Sequence, residues 1–183
     1  YHHIGNMDDA IESYKKAIDL KPDYDEAFCN MGMSLEEKGD LEGAIERYNK
    51  VLEINPDHVG AFYNLGRIYS ETGKLNLAIK NYKKATSLNP KNASSYNSLG
   101  EVYHKMGNLN ESIINYKKAI ELQPTFWQAY NNLSLVYEEK GDIQPAIKIC
   151  QKSISIEPKN PDAYNNLGVL YFKLKNYKRA LEK

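Results

Sequence analysis

Between residues 60 and 72, Ala61, Phe62, Leu65, Ile68 and Tyr69 recur every three or four positions. That spacing lines apolar side chains along one face of a helix, predicted from Gly60 to Thr72. Gly73 closes it, because glycine enters the left-handed conformation of a helix end without strain. Ala78, Ile79, Tyr82 and Ala85 then repeat the pattern on a second helix, from about Asn76 to Leu88. Pro90 blocks its continuation. Two amphipathic helices joined by a glycine turn therefore make one unit.

The unit recurs. Pro22, Pro56, Pro90, Pro124 and Pro158 fall 34 residues apart, and so do Gly5, Gly39, Gly73, Gly107 and Gly141. A third series, Gly32, Gly66, Gly100 and Gly168, has Ser134 at its one gap. A fixed period of this size predicts stacked supersecondary units. Glycine inside a helix costs about 1 kcal/mol relative to alanine, so the third series predicts close helix approach. Ala10, Ala44, Ala78, Ser112, Ala146 and Ala180 are expected to form the complementary surface. The aromatics Phe28, Phe62, Tyr96, Tyr130 and Tyr164, with Tyr14, Tyr48, Tyr82 and Tyr116, have helical spacing and read as core rather than as a base-stacking platform. Asp40, Asn108 and Asp142 follow turn glycines and are expected to cap the second helices. Pro145 falls in a first helical turn, where a missing N–H does no harm.

Phe62-x-x-Leu65-Gly66-x-x-Tyr69, Ala78-x-x-x-Tyr82 and Pro90 resemble the tetratricopeptide-repeat signature. The resemblance covers the whole chain: the end of a repeat (1–24), complete repeats at 25–58, 59–92, 93–126 and 127–160, and a cut-off repeat at 161–183. It implies an all-α fold, a right-handed α-solenoid of stacked antiparallel helix pairs whose first helices line a concave wall. Three positions depart from the pattern: Leu35 for a first-helix Tyr, Cys150 for a second-helix aromatic and Lys175 for a turn glycine.

On that wall the non-core stripe carries one uniform row, Asn30, Asn64, Ser98, Asn132 and Asn166. Asparagine is a middling helix former whose amide both donates and accepts, which suits the backbone of an extended peptide. The same residues could instead bond neighbouring turns or face water. Arg67, Glu101 and Lys105 complete the candidate peptide-binding set. The row is similar to the asparagine ladders of O-linked N-acetylglucosamine transferases, the peroxisomal import receptor and kinesin light chains. Tyr-Asn-Asn-Leu at 130–133 and 164–167 is most like the transferase type. The family's carboxylate clamp is disfavoured: Glu26, Gly60, Ser94, Gln128 and Asp162 stand where its lysines would be, and Arg67, Lys105 and Lys173 do not converge.

Composition removes other classes. Lys plus Arg and Asp plus Glu both number 24 in 183 residues, so no basic excess meets a nucleic-acid backbone. Residues 1–92 hold 12 basic and 15 acidic side chains and residues 93–183 hold 12 and 9, a shallow gradient that salt largely screens. No apolar run approaches a membrane span. Cys29 and Cys150 lack disulfide or metal spacing and read as reduced thiols of an intracellular, cytoplasmic protein. His2 and His104 are three repeats apart, His2 and His3 point apart on a helix, and His58 stands alone, so no metal is expected. Every glycine serves a turn or helix packing, leaving no phosphate loop. The Glu36-Glu37 and Glu138-Glu139 pairs are expected at exposed helix ends, and the Lys-Lys pairs at 15–16, 83–84 and 117–118 on the outer face. Trp127 beside Phe126 reads as a staple of its inter-repeat turn before a partner contact.

The leading expectation is a non-catalytic scaffold, without cofactor, that binds a protein or extended peptide in its groove. A second reading is the substrate-recruiting part of a transferase-like enzyme whose catalytic domain lies beyond Lys183. A third is a spacer or assembly element that self-associates through uncapped ends. Both ends cut across a repeat and the chain opens without Met, so the parent protein is expected to continue.

Overall fold

The computed structural model describes residues 7–181, with side chains from Met7 to Lys175. His2, His3 and Gly5, and the side chain of Ala180, lie outside the described residues. Ten helices and no strand occur among those described: α1 (Met7–Leu20), α2 (Asp25–Glu37), α3 (Leu41–Ile54), α4 (Val59–Glu71), α5 (Leu75–Leu88), α6 (Ala93–Lys105), α7 (Leu109–Leu122), α8 (Trp127–Glu139), α9 (Ile143–Ile156) and α10 (Pro161–Leu181). The fold is all-α and of the helical-repeat kind. Even-numbered helices are the first, and odd-numbered helices the second, of each 34-residue unit. The chain divides into two compact units, Tyr1–Asn89 and Pro90–Lys183.

Turn chemistry sets the helix ends. Gly39, Gly73, Gly107 and Gly141 have φ between 74° and 84°, a region that costs a residue with a Cβ about 1–2 kcal/mol. After α2, the amide of Gly39 donates to the Glu36 carbonyl (2.8 Å) and that of Asp40 to Leu35 (2.9 Å). The same pair of bonds follows α6 and α8, so carbonyls orphaned at the helix end are satisfied. Capping differs from expectation. Asp40 accepts from the Gly43 amide, whereas the side chains of Asn108 and Asp142 make no cap bond. Three caps serve first helices instead: His58 Nδ1 accepts from Ala61, Asn92 Oδ1 from Ser95 and Asn160 Oδ1 from Asp162, each at 3.0 Å. Pro145 lies in the first turn of α9.

In the N-terminal unit the core gathers Phe28, Ala44, Tyr48, Val51, Ala61, Leu65 and Ile68. In the C-terminal unit the described residues include the clusters Ile113, Tyr116, Leu133 and Val136, and Ile143, Ala146, Ile147, Cys150 and Leu170. The close approach at the in-helix glycines is real, but its partner is not the alanine series. A Cβ on Gly32, Gly66 or Gly100 would lie 2.8 Å from a ring carbon of Tyr48, Tyr82 or Tyr116 respectively. Each ring comes from the second helix of the same repeat, 16 positions later, and all three are buried. The small residues sit alongside, as Ser112 shows by donating to the Gly100 carbonyl (2.9 Å). Where Ser134 replaces the glycine, Cys150 replaces the tyrosine. Both are fully buried, and the two departures fill one space together.

The last unit departs from the pattern. Lys175 stands where the other turns have glycine, and α10 runs through to Leu181 as one helix of 21 residues. Lysine enters the left-handed region at a cost, and nothing else in Leu174-Lys175-Asn176 stops a helix.

Candidate functional site

The predicted site residues fall into two sets, one in each unit. Asn30 on α2 and Asn64 and Arg67 on α4 belong to the N-terminal unit. Ser98, Glu101 and Lys105 on α6, Asn132 on α8 and Asn166 on α10 belong to the C-terminal one. Within each unit successive first helices lie side by side, and their polar side chains meet.

In the N-terminal unit, Met33, Glu36, Glu37, Leu41, Asn64, Arg67 and Glu71 line a cavity of about 410 Å³. Its hub is Glu36, whose side chain is only 6% exposed. The Tyr48 hydroxyl donates to Glu36 Oε1 at 2.6 Å, and Arg67 Nη2 donates to Oε2. Arg67 Nη1 also donates to Glu71 at 3.3 Å. Burial, and then the bond to Glu36, holds the Tyr48 phenol above its ordinary range, so it remains a donor. This corrects the sequence expectation of an exposed Glu36-Glu37 pair: Glu37 is exposed, but Glu36 is drawn inward by a buried tyrosine and by an arginine from the next repeat. Asn64 lines the cavity, and neither Asn30 nor Asn64 makes a side-chain hydrogen bond among the described residues.

Arg67→Met is expected to cost about 1–3 kcal/mol, because it strips a charge partner from a buried carboxylate. Glu36→Gln added to it should recover most of the loss. Urea unfolding of the three variants measures this; an unchanged midpoint for Arg67→Met would show that the pair contributes nothing.

The C-terminal unit uses its asparagines differently. Asn132 Nδ2 donates to Glu101 Oε1 at 3.0 Å and approaches Asn97 Oδ1 at 3.5 Å. Asn97, which is buried, donates to the same Glu101 oxygen at 2.7 Å. Asn166 Nδ2 donates to Asn131 Oδ1 at 3.0 Å. Lys173 reaches Glu138 at 2.6 Å and His104 meets Glu139 at 2.7 Å. Asn132 and Asn166 thus commit a donor to the preceding repeat, the alternative that the sequence left open. Ser98 is half-buried, and Lys105 is exposed at the end of α6.

One regularity covers both units. Contacts between neighbouring first helices join residues 31 apart (Glu36–Arg67, Glu101–Asn132) or 35 apart (Asn97–Asn132, Asn131–Asn166, Glu138–Lys173). These are one repeat minus three and one repeat plus one, positions a helical turn apart on the same face. Asn97 and Asn131 escaped the sequence reading because it compared residues only at the full period, and Glu36 and Glu138, expected at exposed helix ends, are instead drawn inward (6% and 16% exposed) by partners from the next repeat.

His58 is a cap. Trp127 is half-buried at the start of α8, and its main-chain carbonyl accepts from Ser153 Oγ at 3.0 Å. Lys84 and Lys117 lie over the rings of Phe62 and Tyr137 at 5.8 and 5.7 Å. Among the described residues no group of three or more His, Cys, Asp or Glu could hold a metal. No described helix is long and apolar enough to cross a membrane.

A TPR-repeat model matches residues 1–39, 34–73, 66–107 and 103–141, and two tetratricopeptide-repeat models match 128–160 and 149–182. The chain belongs to the tetratricopeptide-repeat family. Among solved structures it is similar to MamA, at 32% identity over 85% of this chain and 91% of that one, with a TM-score of 0.79. MamA from Desulfovibrio magneticus RS-1 matches at 24% identity, 86% and 89% coverage and a TM-score of 0.78. YrrB, described as a TPR protein with an unusual peptide-binding site, matches at 24% identity, 94% and 89% coverage and the same TM-score. No curated protein matches the chain. These tetratricopeptide-repeat matches are to the family at large. The finer likeness to transferase-type repeats rests on the two Tyr-Asn-Asn-Leu segments alone.

Proposed function

We propose that the chain is a non-catalytic protein-interaction scaffold whose α2–α4 face holds an extended polypeptide segment. The observation that carries this reading is the cavity of about 410 Å³ with Asn64 in its lining. An amide with both its donor and acceptor uncommitted can pair with a peptide's C=O and N–H together. Met33 and Leu41 offer apolar contact beside it, and Arg67 and Glu37 offer charge. Two apolar side chains among five polar or charged ones suit the polar backbone of a peptide better than an apolar small molecule. YrrB carries a peptide-binding site on a similar fold, so such a site is compatible with the architecture.

The two asparagine sets separate by experiment. Peptides selected from a displayed library against the wild-type chain would be titrated against Asn64→Ala and Asn132→Ala. Asn64→Ala is expected to weaken binding about tenfold, the equivalent of about 1.4 kcal/mol, with an unchanged melting curve. Asn132→Ala is expected to lower stability, because it leaves Glu101 short of a donor, and to affect peptide binding less. Equal binding by wild type and Asn64→Ala would remove the α2–α4 face as the site.

A further inference from the structure

The α4–α5 pair carries a second groove, of about 500 Å³, that shares no lining residue with the cavity around Glu36. Phe62, Lys80, Asn81, Lys83, Lys84 and Ser87 line it. Its surface is mostly carbon, from the half-buried Phe62 ring and the lysine stems, while the exposed ammonium heads stay in water. The three lysines stand at i, i+3 and i+4, on one face of α5.

The preceding repeat has a groove at the same register. Phe28, Glu46, Arg47, Asn49, Lys50 and Glu53, each 34 positions earlier, line it together with Ile18. There the charges cancel: Arg47 pairs with Glu46 at 3.2 Å and Lys50 with Glu53 at 2.8 Å. In the α5 groove Lys80 stands in the register of Glu46, and Ser87 in that of Glu53, so the lining holds no carboxylate. Lys84 reaches outside it to Asp57 at 3.3 Å, and Lys80 has no ion pair among the described residues. No Asp or Glu occurs from Thr72 to Gly100. Two successive repeats thus share the groove but not its charge.

We propose that the α5 groove docks an acidic polypeptide segment, its carboxylates meeting Lys80, Lys83 and Lys84 while an apolar side chain lies on Phe62. Charge complementarity selects the partner's sign. Like charges on neighbouring turns of a helix repel, and bound carboxylates relieve that repulsion. A nucleic-acid strand suits the surface less, because it needs phosphate contacts along its length and the equivalent groove one repeat earlier would meet it with Glu46 and Glu53.

The test uses a fluorescein-labelled Glu-Glu-Phe-Glu-Glu peptide, followed by anisotropy at low salt. The wild-type chain is expected to bind one peptide, more weakly as salt rises, and to ignore Lys-Lys-Phe-Lys-Lys. Lys80→Glu with Ser87→Glu copies the α3 pattern onto α5 and should weaken binding about tenfold or more. Both positions are exposed, so the melting curve should not move. The reverse exchange, Glu46→Lys with Glu53→Ser, should raise the stoichiometry to two peptides per chain. Asn64→Ala should bind the acidic peptide as the wild type does, which separates this surface from the α2–α4 face. The proposal is overturned if the wild type fails to bind at about 1 mM peptide, or if Lys80→Glu with Ser87→Glu binds undiminished. A stoichiometry that stays at one after the reverse exchange would show that charge does not select the groove. Loss of binding in Asn64→Ala would move the peptide to the α2–α4 face, and equal affinity for a short oligothymidylate would make the groove a general polyanion surface; either result sinks the idea.

Discussion

An alanine at Gly66 is expected to lower stability by up to about 2 kcal/mol, while the same change at Gly168 raises it or leaves it unchanged. In a helix interior the substitution should help by about 1 kcal/mol, because alanine loses less backbone entropy. At Gly66 that gain meets Tyr82, whose ring carbons would lie 2.8 Å from the new methyl. The ring is buried and anchored near its base, so it cannot swing aside, and overpacking of this kind costs about 1–3 kcal/mol. The steric cost wins. Gly32 and Gly100, against Tyr48 and Tyr116, should behave alike. At Gly168 no atom is close enough to resist, and only the entropic gain remains. Urea midpoints of the four single variants, measured side by side, decide the matter. A fall of equal size at Gly168 would mean that ring contact is not why the glycines are there.

The second large effect is expected at Cys150. Cys150→Tyr forces a ring into a fully buried position opposite Ser134, at an expected cost of about 3 kcal/mol. Ser134→Gly alone should cost about 0.5 kcal/mol through helix propensity. The double variant rebuilds the arrangement of Gly66 with Tyr82, and should return to within about 1 kcal/mol of the wild type. A hydroxyl partner is even at hand: Glu138 occupies the register of Glu36, which accepts from Tyr48 at 2.6 Å. The expected coupling, about 2 kcal/mol or more, is characteristic of residues in direct contact. Strict additivity of the two changes would show that positions 134 and 150 do not share one space.

The fold was largely legible in the sequence, for a definite reason. Proline and glycine mark helix ends by backbone chemistry alone, so the helix expected at Gly60–Thr72 appears at Val59–Glu71. The glycine approach was legible too, since a helix rarely carries an unfavourable residue at a fixed period without cause. Its partner was not: alanine and tyrosine share the facing stripe of the second helix, and spacing does not say which one reaches across. Glu36 was misread because its burial depends on Arg67, which arrives from the next repeat. Asn132 and Asn166 carried a readable signal in their offset of 35 from Asn97 and Asn131, but the full period hides it. Ser134 and Cys150 stood out singly, and only the packing shows that they answer one another.

Each ring and the glycine beneath it lie 16 positions apart, inside a single repeat. A genetic duplication or loss of one 34-residue segment cut at the junction between repeats therefore carries both partners together and leaves every such pair intact. Even the aberrant Ser134–Cys150 pair would be copied as a working unit. The contacts at offsets of 31 and 35 have no such protection, because each spans a junction. Lineages that lengthen or shorten this array can thus keep its packing unchanged while reshuffling the polar face that neighbouring repeats present.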